Sequence, residues 1–470
     1  MIERKRITRF FRALGFAFGT TLLLTQCSDN DILEDEIDLT EDLKTSAQST
    51  SGCGCTYTVP SNKNLIDGRV LGIKPGAVIC LSAANTYKNL NFQNIVGTAT
   101  APVTIKNCGG TAVLNATGMS YGLKFGKSKY FRVTGGSTEG VYGIKVQGGH
   151  INTTFEALTT DFEVDHIESA SAGFSGIMAK TDPTCDAATN RGNFTMRNVK
   201  IHDNYVHDCA GEGLYIGNSF YKNGVSTSCG TKYPHEIHDL KVYNNRIKNS
   251  GWEGIQIGCA TVGAEVYDNT VEFYGKKNAA AQNNGVQLGE GTGGKFYNNF
   301  IKSGPGNGLI ILGLADNVVY NNIIVSAGSS AIFCDDRVTK GTGFKFLNNT
   351  LINPKKDGIR IYAENMTNVV QNNIIVNPGS YSTYTYPRSP NDAYVYKISN
   401  KMTLQMSNNY FTRTIGNLKF VNYTADNYRL ASGSPAIDKG KSISTYGITK
   451  DFYHDLRLQL SSYDIGASEY

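Results

Sequence analysis

The chain has 470 residues, with 45 Lys and Arg against 40 Asp and Glu for a net charge of +5, and it holds 51 Gly and 27 Tyr but one Trp. Charged residues make up only 18%, and glycine is abundant without a three-residue period. Collagen, coiled coil and a mainly disordered chain are thereby excluded, and turn-rich β structure is expected.

The charge is unevenly placed. Residues 1–26 carry Arg4, Lys5, Arg6, Arg9 and Arg12 against Glu3, residues 28–44 carry eight acids against Lys44, and the remaining body, 45–470, stands at +8. A basic stretch, an apolar run over 13–24 and then Cys27 have the layout of a secretion signal. The run is too short to span a bilayer. Leu24-Thr25-Gln26-Cys27 resembles a bacterial lipoprotein cleavage box. That resemblance implies a signal peptide over 1–26, acylation at Cys27, a lipid-anchored acidic tether over 27–55, and an outer-membrane, cell-surface or secreted location. The lipid would be the one membrane contact.

Nine cysteines follow Cys27, an odd number, so at least one thiol is unpaired or buried. An exported chain favours disulfides. Cys53-Gly54-Cys55 lacks the spacing and second cysteine pair of a zinc site.

The strongest signal is an internal repeat. A pair Asn-Asn or Asp-Asn recurs, ending at Asn204, Asn245, Asn269, Asn299, Asn322, Asn349, Asn373 and Asn409. A small residue then opens a short apolar alternation, at Gly143, Gly176, Gly213, Gly254, Gly285, Gly308, Ala331 and Gly358. The first and third residues after each anchor are apolar, and the second is mixed, which is a half-buried strand. Nine residues separate Asn from anchor in five coils, and the shortest repeat is 23 residues. Short strands at this spacing, with no helical period between them, fit a parallel β-helix whose coils stack at roughly 4.8 Å. Stacking lets each Asn hydrogen-bond its copy above and below, and Asn tolerates left-handed backbone.

Two further segments carry a family resemblance. Gly72-Ile73-Lys74-Pro75-Gly76-Ala77-Val78-Ile79, with Thr100 to Ile105, is similar to the first coils of the pectate-lyase-like right-handed parallel β-helix proteins. Ser434-Pro435-Ala436-Ile437-Asp438-Lys439-Gly440 and Asp464 to Tyr470 resemble their terminal signature. The resemblance implies one all-β solenoid domain of about a dozen coils over residues 56–470. It leaves activity open, because this superfold hosts lyases, hydrolases, epimerases and adhesins.

Return lengths place insertions at about 148–158, 181–193 and 218–236 on one edge, where a Cys185–Cys229 bridge would stiffen a wall. A Tyr-rich excursion lies at 378–394. Long loops on a rigid scaffold are where function is expected. Beside them Gly217, Gly258 and Gly289 share a register and would form a floor that lets a ligand approach the backbone. Lys180, Tyr215, His235, Trp252, Gln256, Gln287, Glu290 and Arg360 are the candidate substrate-binding residues around it. Glu212 and Glu253, each one residue before its anchor, are the candidate catalytic pair, since stacked carboxyls raise one another's proton affinity. In a hydrolase they would be acid and nucleophile. In a lyase the pair, with Glu290, would hold a divalent cation such as calcium while Lys180, His235 or Arg360 abstracts the proton; otherwise no cofactor is expected.

Other motifs carry less. Asp165-His166 is similar to the pectate-lyase signature but lies in the ladder register, so His166 is read as structural, and His202 and His207, which flank a ladder Asn, as surface or turn residues. Asp335-Asp336 lacks the His-Gly of polygalacturonases. His235-Glu236-Ile237-His238 has no helical context. Basic residues are dispersed, so no nucleic-acid partner is expected. The expected function is an extracellular polysaccharide-degrading enzyme, lyase or glycoside hydrolase, on an acidic glycan drawn by the +8 body. The alternative is a non-catalytic surface glycan-binding protein or adhesin.

Overall fold

The computed structural model describes residues 52–136, 140–314, 316–336, 341–364, 366–379, 390–398 and 402–470. The expected secretion signal, Cys27, the acidic run, Arg337 and Tyr381, Tyr384 and Tyr386 lie outside the described residues.

Each coil follows from the repeat. A strand such as Lys200–His202 enters a first sheet, turns at the Asn pair into a strand such as Tyr205–His207 of a second sheet, and turns at the glycine anchor into Leu214–Ile216 of a third. Iterated, this gives among the described residues three parallel sheets of 13, 12 and 12 strands, a right-handed parallel β-helix. Inward side chains of all three sheets form one continuous core from Val59 to Met402. In the early coils it includes a column of stacked rings, Phe92, Phe125 and Phe155, at 4.9 and 5.0 Å. Among the described residues no helix is long and apolar enough to cross a membrane.

The Asn pairs divide their work. The first member takes left-handed backbone, as at Asn244 (φ 51°), Asn298 (φ 53°) and Asn348 (φ 50°). The second turns inward and donates to its copy on the next coil: Asn204 to Asn245 at 3.0 Å, Asn245 to Asn269 at 2.9 Å, Asn269 to Asn299 at 3.0 Å, and so on through Asn322, Asn349 and Asn373 to Asn409. The ladder thus satisfies buried polar groups at every corner it crosses. His166 occupies the left-handed position in its coil (φ 54°), the structural role expected of it.

Three readings of the repeat need correction. Gly143 is not an anchor of the third sheet: Ile144–Gln147 pairs with Ile167–Ala170 in the second. Residues 148–158 are therefore not an inserted loop, since they contain Ile151–Glu156, the third-sheet strand that pairs with Ile177–Ala179. Asn152 makes that corner without a glycine, its amide donating to the Val146 and Ala170 carbonyls and the Ser169 hydroxyl. Cys53 and Cys55 belong to the folded body and not to a tether, because they are bonded to Cys108 and Cys80.

The other two insertions are real. They carry a hairpin, Val225–Thr227 with Gly230–Lys232, and help build a small fourth sheet of Thr195–Arg197, Glu236–His238 and Ala260–Val262. Cys185 and Cys229 join them as a disulfide. Cys209, Cys259 and Cys334 are buried thiols. After Tyr410–Thr412 the chain leaves the solenoid and folds back, placing Leu418, Phe420, Tyr428, Leu430, Ile465 and Ala467 on outward Ile323, Val325, Ile352 and Val376 of the second sheet. The closing signature fastens it: Asp464 accepts from the Asp438 and Tyr470 amides at 2.7 Å, and Arg457 pairs with Glu469 at 2.9 Å inside.

Candidate functional site

The corner between the second and third sheets explains its own glycines. A Cβ on Gly213 would lie 2.5 Å from the Gly254 carbonyl oxygen, and one on Gly285 2.6 Å from that of Gly308. Close backbone approach fixes the residue before each glycine in a vertical row: Ser175, Glu212, Glu253, Asn284, Asn307, Ser330, Asp357. The lower part is a second hydrogen-bond ladder. Asn284 accepts from Asn307 at 2.9 Å, and Asn307 accepts from the Ser330 amide at 3.1 Å.

The upper part is acidic. Glu253 is fully buried and its Oε1 accepts from Asn284 at 3.1 Å, while Oε2 has no protein partner. Burial, with the neighbouring Glu212 charge adding to it, pushes its carboxyl up to about 8. Glu212 is 2% exposed, and its Oε2 is likewise without a partner. Burial pushes it up to about 7, against the pull of the Lys180 cation. Removing a carboxylate from water without matching donors favours its neutral form. Glu253 therefore holds its proton at neutral pH while Glu212 titrates close to it, and burial rather than the stacking of two charges is the main cause.

Directly outside stands a cationic and aromatic group. Lys180 Nζ lies 5.0 Å from the Tyr215 ring centre and 2.8 Å from Asp182. Burial opposes the charge on Lys180, but Tyr215, Asp182 and Glu212 outweigh it and raise its affinity for the proton. Phe174 meets Tyr215 edge-on at 6.0 Å and Trp252 edge-on at 5.7 Å. His150 stacks on Phe174 at 5.7 Å, and Lys277 lies 5.9 Å from the Trp252 ring centre. Phe174 and Trp252 sit two coils apart, and Gly211 between them leaves the room for their contact, since a Cβ there would fall 3.0 Å from the Phe174 ring.

The structure thus brings Lys180, Glu212, Tyr215, Trp252 and Glu253 together and separates the other candidates. His235 is no proton acceptor: Nε2 accepts from the Thr181 amide at 3.1 Å, Nδ1 bonds the Glu236 carbonyl at 2.9 Å, and burial lowers it to about 4. Lys180, held protonated, is a cation and not a base. Arg360 lies four strands below Gln256 in the third sheet, paired with Asp357 at 3.1 Å. Glu290 accepts from the Lys222 amide at 3.0 Å. Among the described residues, Glu212, Glu253 and Glu290 do not form a three-ligand group for a metal. Gln287 is half-buried on the third sheet. Gln256 donates to Ser219 at 2.7 Å, and the same hydroxyl meets Tyr215 at 3.1 Å, so the insertion covers this face.

The glycine floor is likewise covered. Gly217, Gly258 and Gly289 are all buried; a Cβ on Gly217 would lie 1.9 Å from the Gly258 carbonyl oxygen, and one on Gly258 2.2 Å from that of Asn218. Gly258 admits the inserted backbone at Asn218, and Gly217 and Gly289 admit the backbone of the neighbouring coil, not a ligand. Sequence reasoning missed Phe174, Lys277 and Ser219. Phe174, Gly211 and Trp252 all stand two residues before an anchor, and that register was the signal.

A family model described as a right-handed β-helix region matches residues 235–428. None of the curated protein sequences compared matches the chain. Among solved structures, it is similar to pectate lyase Pel9A, at 13% identity over 85% of this chain and 89% of that one, with a TM-score of 0.48. It is also similar to an alginate lyase from Paenibacillus sp. str. FPU-7, at 16% identity over 75% and 97% with a TM-score of 0.40. A polysaccharide lyase of Pseudopedobacter saltans matches at 13% over 86% and 98%, with a TM-score of 0.38. Likenesses at this level leave the chemistry to the chain's own residues.

Proposed function

We propose that the chain degrades or modifies a carboxylate-bearing polysaccharide at the corner where Lys180 and Tyr215 stand over Glu212. The observation that carries this reading is the unpartnered Oε2 of Glu212. It is a proton-holding group with a value near 7, set between a cation and a phenol and rimmed by Phe174 and Trp252. Aromatic edges suit the apolar faces of sugars. Lys180 would neutralise a substrate carboxylate, which is the electrostatic requirement for drawing a proton from the adjacent carbon or for settling the chain in register. Glu212 would exchange a proton at neutral pH.

A divalent cation remains part of the lyase version, as a group that would neutralise the substrate. A panel of polysaccharides is read for reducing ends and for ultraviolet-absorbing unsaturated uronates, with wild type, Lys180→Ala and Glu212→Gln. Product from wild type that falls at least tenfold in both variants supports the proposal. Product unchanged in both refutes the site.

One observation favours a binding-only version: neither Glu carboxyl reaches the surface, and Glu253 is a rung of the buried row. Retention on glycan affinity gels without product decides for it. We further propose anchoring through Cys27, supported by the basic and apolar residues before it. Labelled fatty acid should enter the wild type and not Cys27→Ser.

A further inference from the structure

The outer face of the first sheet carries a second periodic array, on a different face of the solenoid from Lys180. His202, Tyr243, Tyr267, Tyr297 and Tyr320 are in register on five successive strands. Their rings stack at 4.4, 4.9, 4.9 and 4.7 Å, all nearly coplanar. Stacking consumes the ring faces and leaves ring edges outward, with a hydroxyl on each of the four tyrosines. Two residues earlier on the same strands runs Lys200, Lys241, Glu265, Lys295, Val318. Glu265 accepts from the Tyr297 hydroxyl at 3.2 Å, while Lys241 and Lys295 have no ion pair among the described residues. Lys241 and Lys295 are thus two free cations of this row, two strands and roughly 10 Å apart with Glu265 in register between them, beside the tyrosine hydroxyls.

We propose that this face docks an anionic polysaccharide bearing one charge per disaccharide, running along the solenoid axis. The hydroxyls suit sugar hydroxyls at each step, and Lys241 and Lys295 suit alternate units. Burial keeps the Tyr243 and Tyr267 phenols protonated far above neutral pH, so they remain donors. The track has ends. At one, Arg132 and Lys200 hold Glu163 at 3.1 Å each, and Arg132 holds Asp165 at 2.7 Å. At the other, Tyr320 packs against the returning C-terminal segment. Duplex DNA carries a charge every ~1.7 Å of axis, far denser than this lysine row, which argues for the glycan. The track is independent of the chemistry proposed at Lys180.

The test uses the full chain and affinity electrophoresis in gels holding hyaluronan, dextran or single-stranded DNA, at low and raised salt. Wild type should be retarded by hyaluronan, more so at low salt, and not by dextran. Lys241→Glu with Lys295→Glu should weaken retention about tenfold, the scale of two rim charges reversed. Tyr243→Phe with Tyr267→Phe keeps the stack, removes only hydroxyls, and should weaken it several-fold. Circular dichroism checks that each variant is folded. No retardation of wild type, a lysine variant within twofold of it, or equal binding of DNA overturns the track. So does loss of retention in Lys180→Ala with the lysine-row variant unaffected, an outcome that would move hyaluronan to the other site.

Discussion

Glu253 makes stability depend on pH in a direction opposite to that of an ion-paired carboxylate. Its ordinary value of 4.5 in the unfolded chain becomes about 8 in the fold, chiefly through burial. The native state therefore keeps a proton that the unfolded state gives up. Stability is full below about pH 4.5, falls as pH rises through the interval up to about 8, and is flat above it. At ~1.36 kcal/mol per pKa unit, the loss attributable to Glu253 is about 4–5 kcal/mol. Glu212, moving from 4.5 to about 7, adds about 3 kcal/mol by the same conversion. Glu253→Gln removes the titration and keeps an oxygen to accept from Asn284. Urea unfolding should find the variant close to wild type at pH 5 and more stable by a few kcal/mol at pH 9. A wild-type-minus-variant difference that stays constant between those pH values would refute a buried, protonated Glu253.

Other outcomes follow from the same geometry. In Lys180→Ala the cation that lowers Glu212 is gone, so carbon-detected NMR should show its carboxyl titrating higher than about 7. Asn299 gives its amide to the Val266 and Tyr297 carbonyls and to Asn322, and accepts from the Asn269 backbone. Asn299→Ala strands buried groups and should cost about 3–4 kcal/mol in urea unfolding, with a cost below 1 kcal/mol contradicting the ladder. Gly217→Ala, at φ 71° and against the Gly258 carbonyl, should lower the melting temperature clearly, while Gly416→Ala, facing open space, should not.

Much of the fold was legible because the solenoid repeats one solution. Asn tolerates the left-handed turn and can bond its copy, so its recurrence encodes the first corner directly. Parity after the anchors encodes the third sheet. Both signals weaken where the chain solves a corner differently. Asn152 replaces the glycine in one coil, and Gly143, which also opens an apolar alternation, stands a strand too early. The returning segment after Thr412 obeys no coil period, since its apolar residues answer outward Ile323, Val325 and Ile352, which sequence parity alone would send to solvent.

The site was legible in part, and the pattern of success has one cause. Residues fixed by backbone stacking could be placed by register, so Glu212, Glu253 and Tyr215 were found near one another. Residues whose surroundings come from the insertions could not. Gly217 and Gly258 occupy the predicted row, but the row alone does not reveal that the backbone at Asn218 presses upon Gly258 and that of Gly258 upon Gly217. His235 lies in the expected wall, yet the Thr181 amide arrives from 54 residues away and takes its free nitrogen. Arg360 shares the strand position of Gln256 but stands four coils down the axis. Register in a solenoid specifies face and height separately, and catalysis needs both. Lys180 meets Glu212 because one coil's return and the next coil's corner fall at the same height, beside the face where Phe174 and Trp252 can meet over Gly211. The insertion that hides the glycine floor also places Ser219 against Tyr215 and Asn218 against Asp182, the acid that pairs with Lys180. The wall therefore holds the cationic group in place, and its position depends on the glycines beneath it.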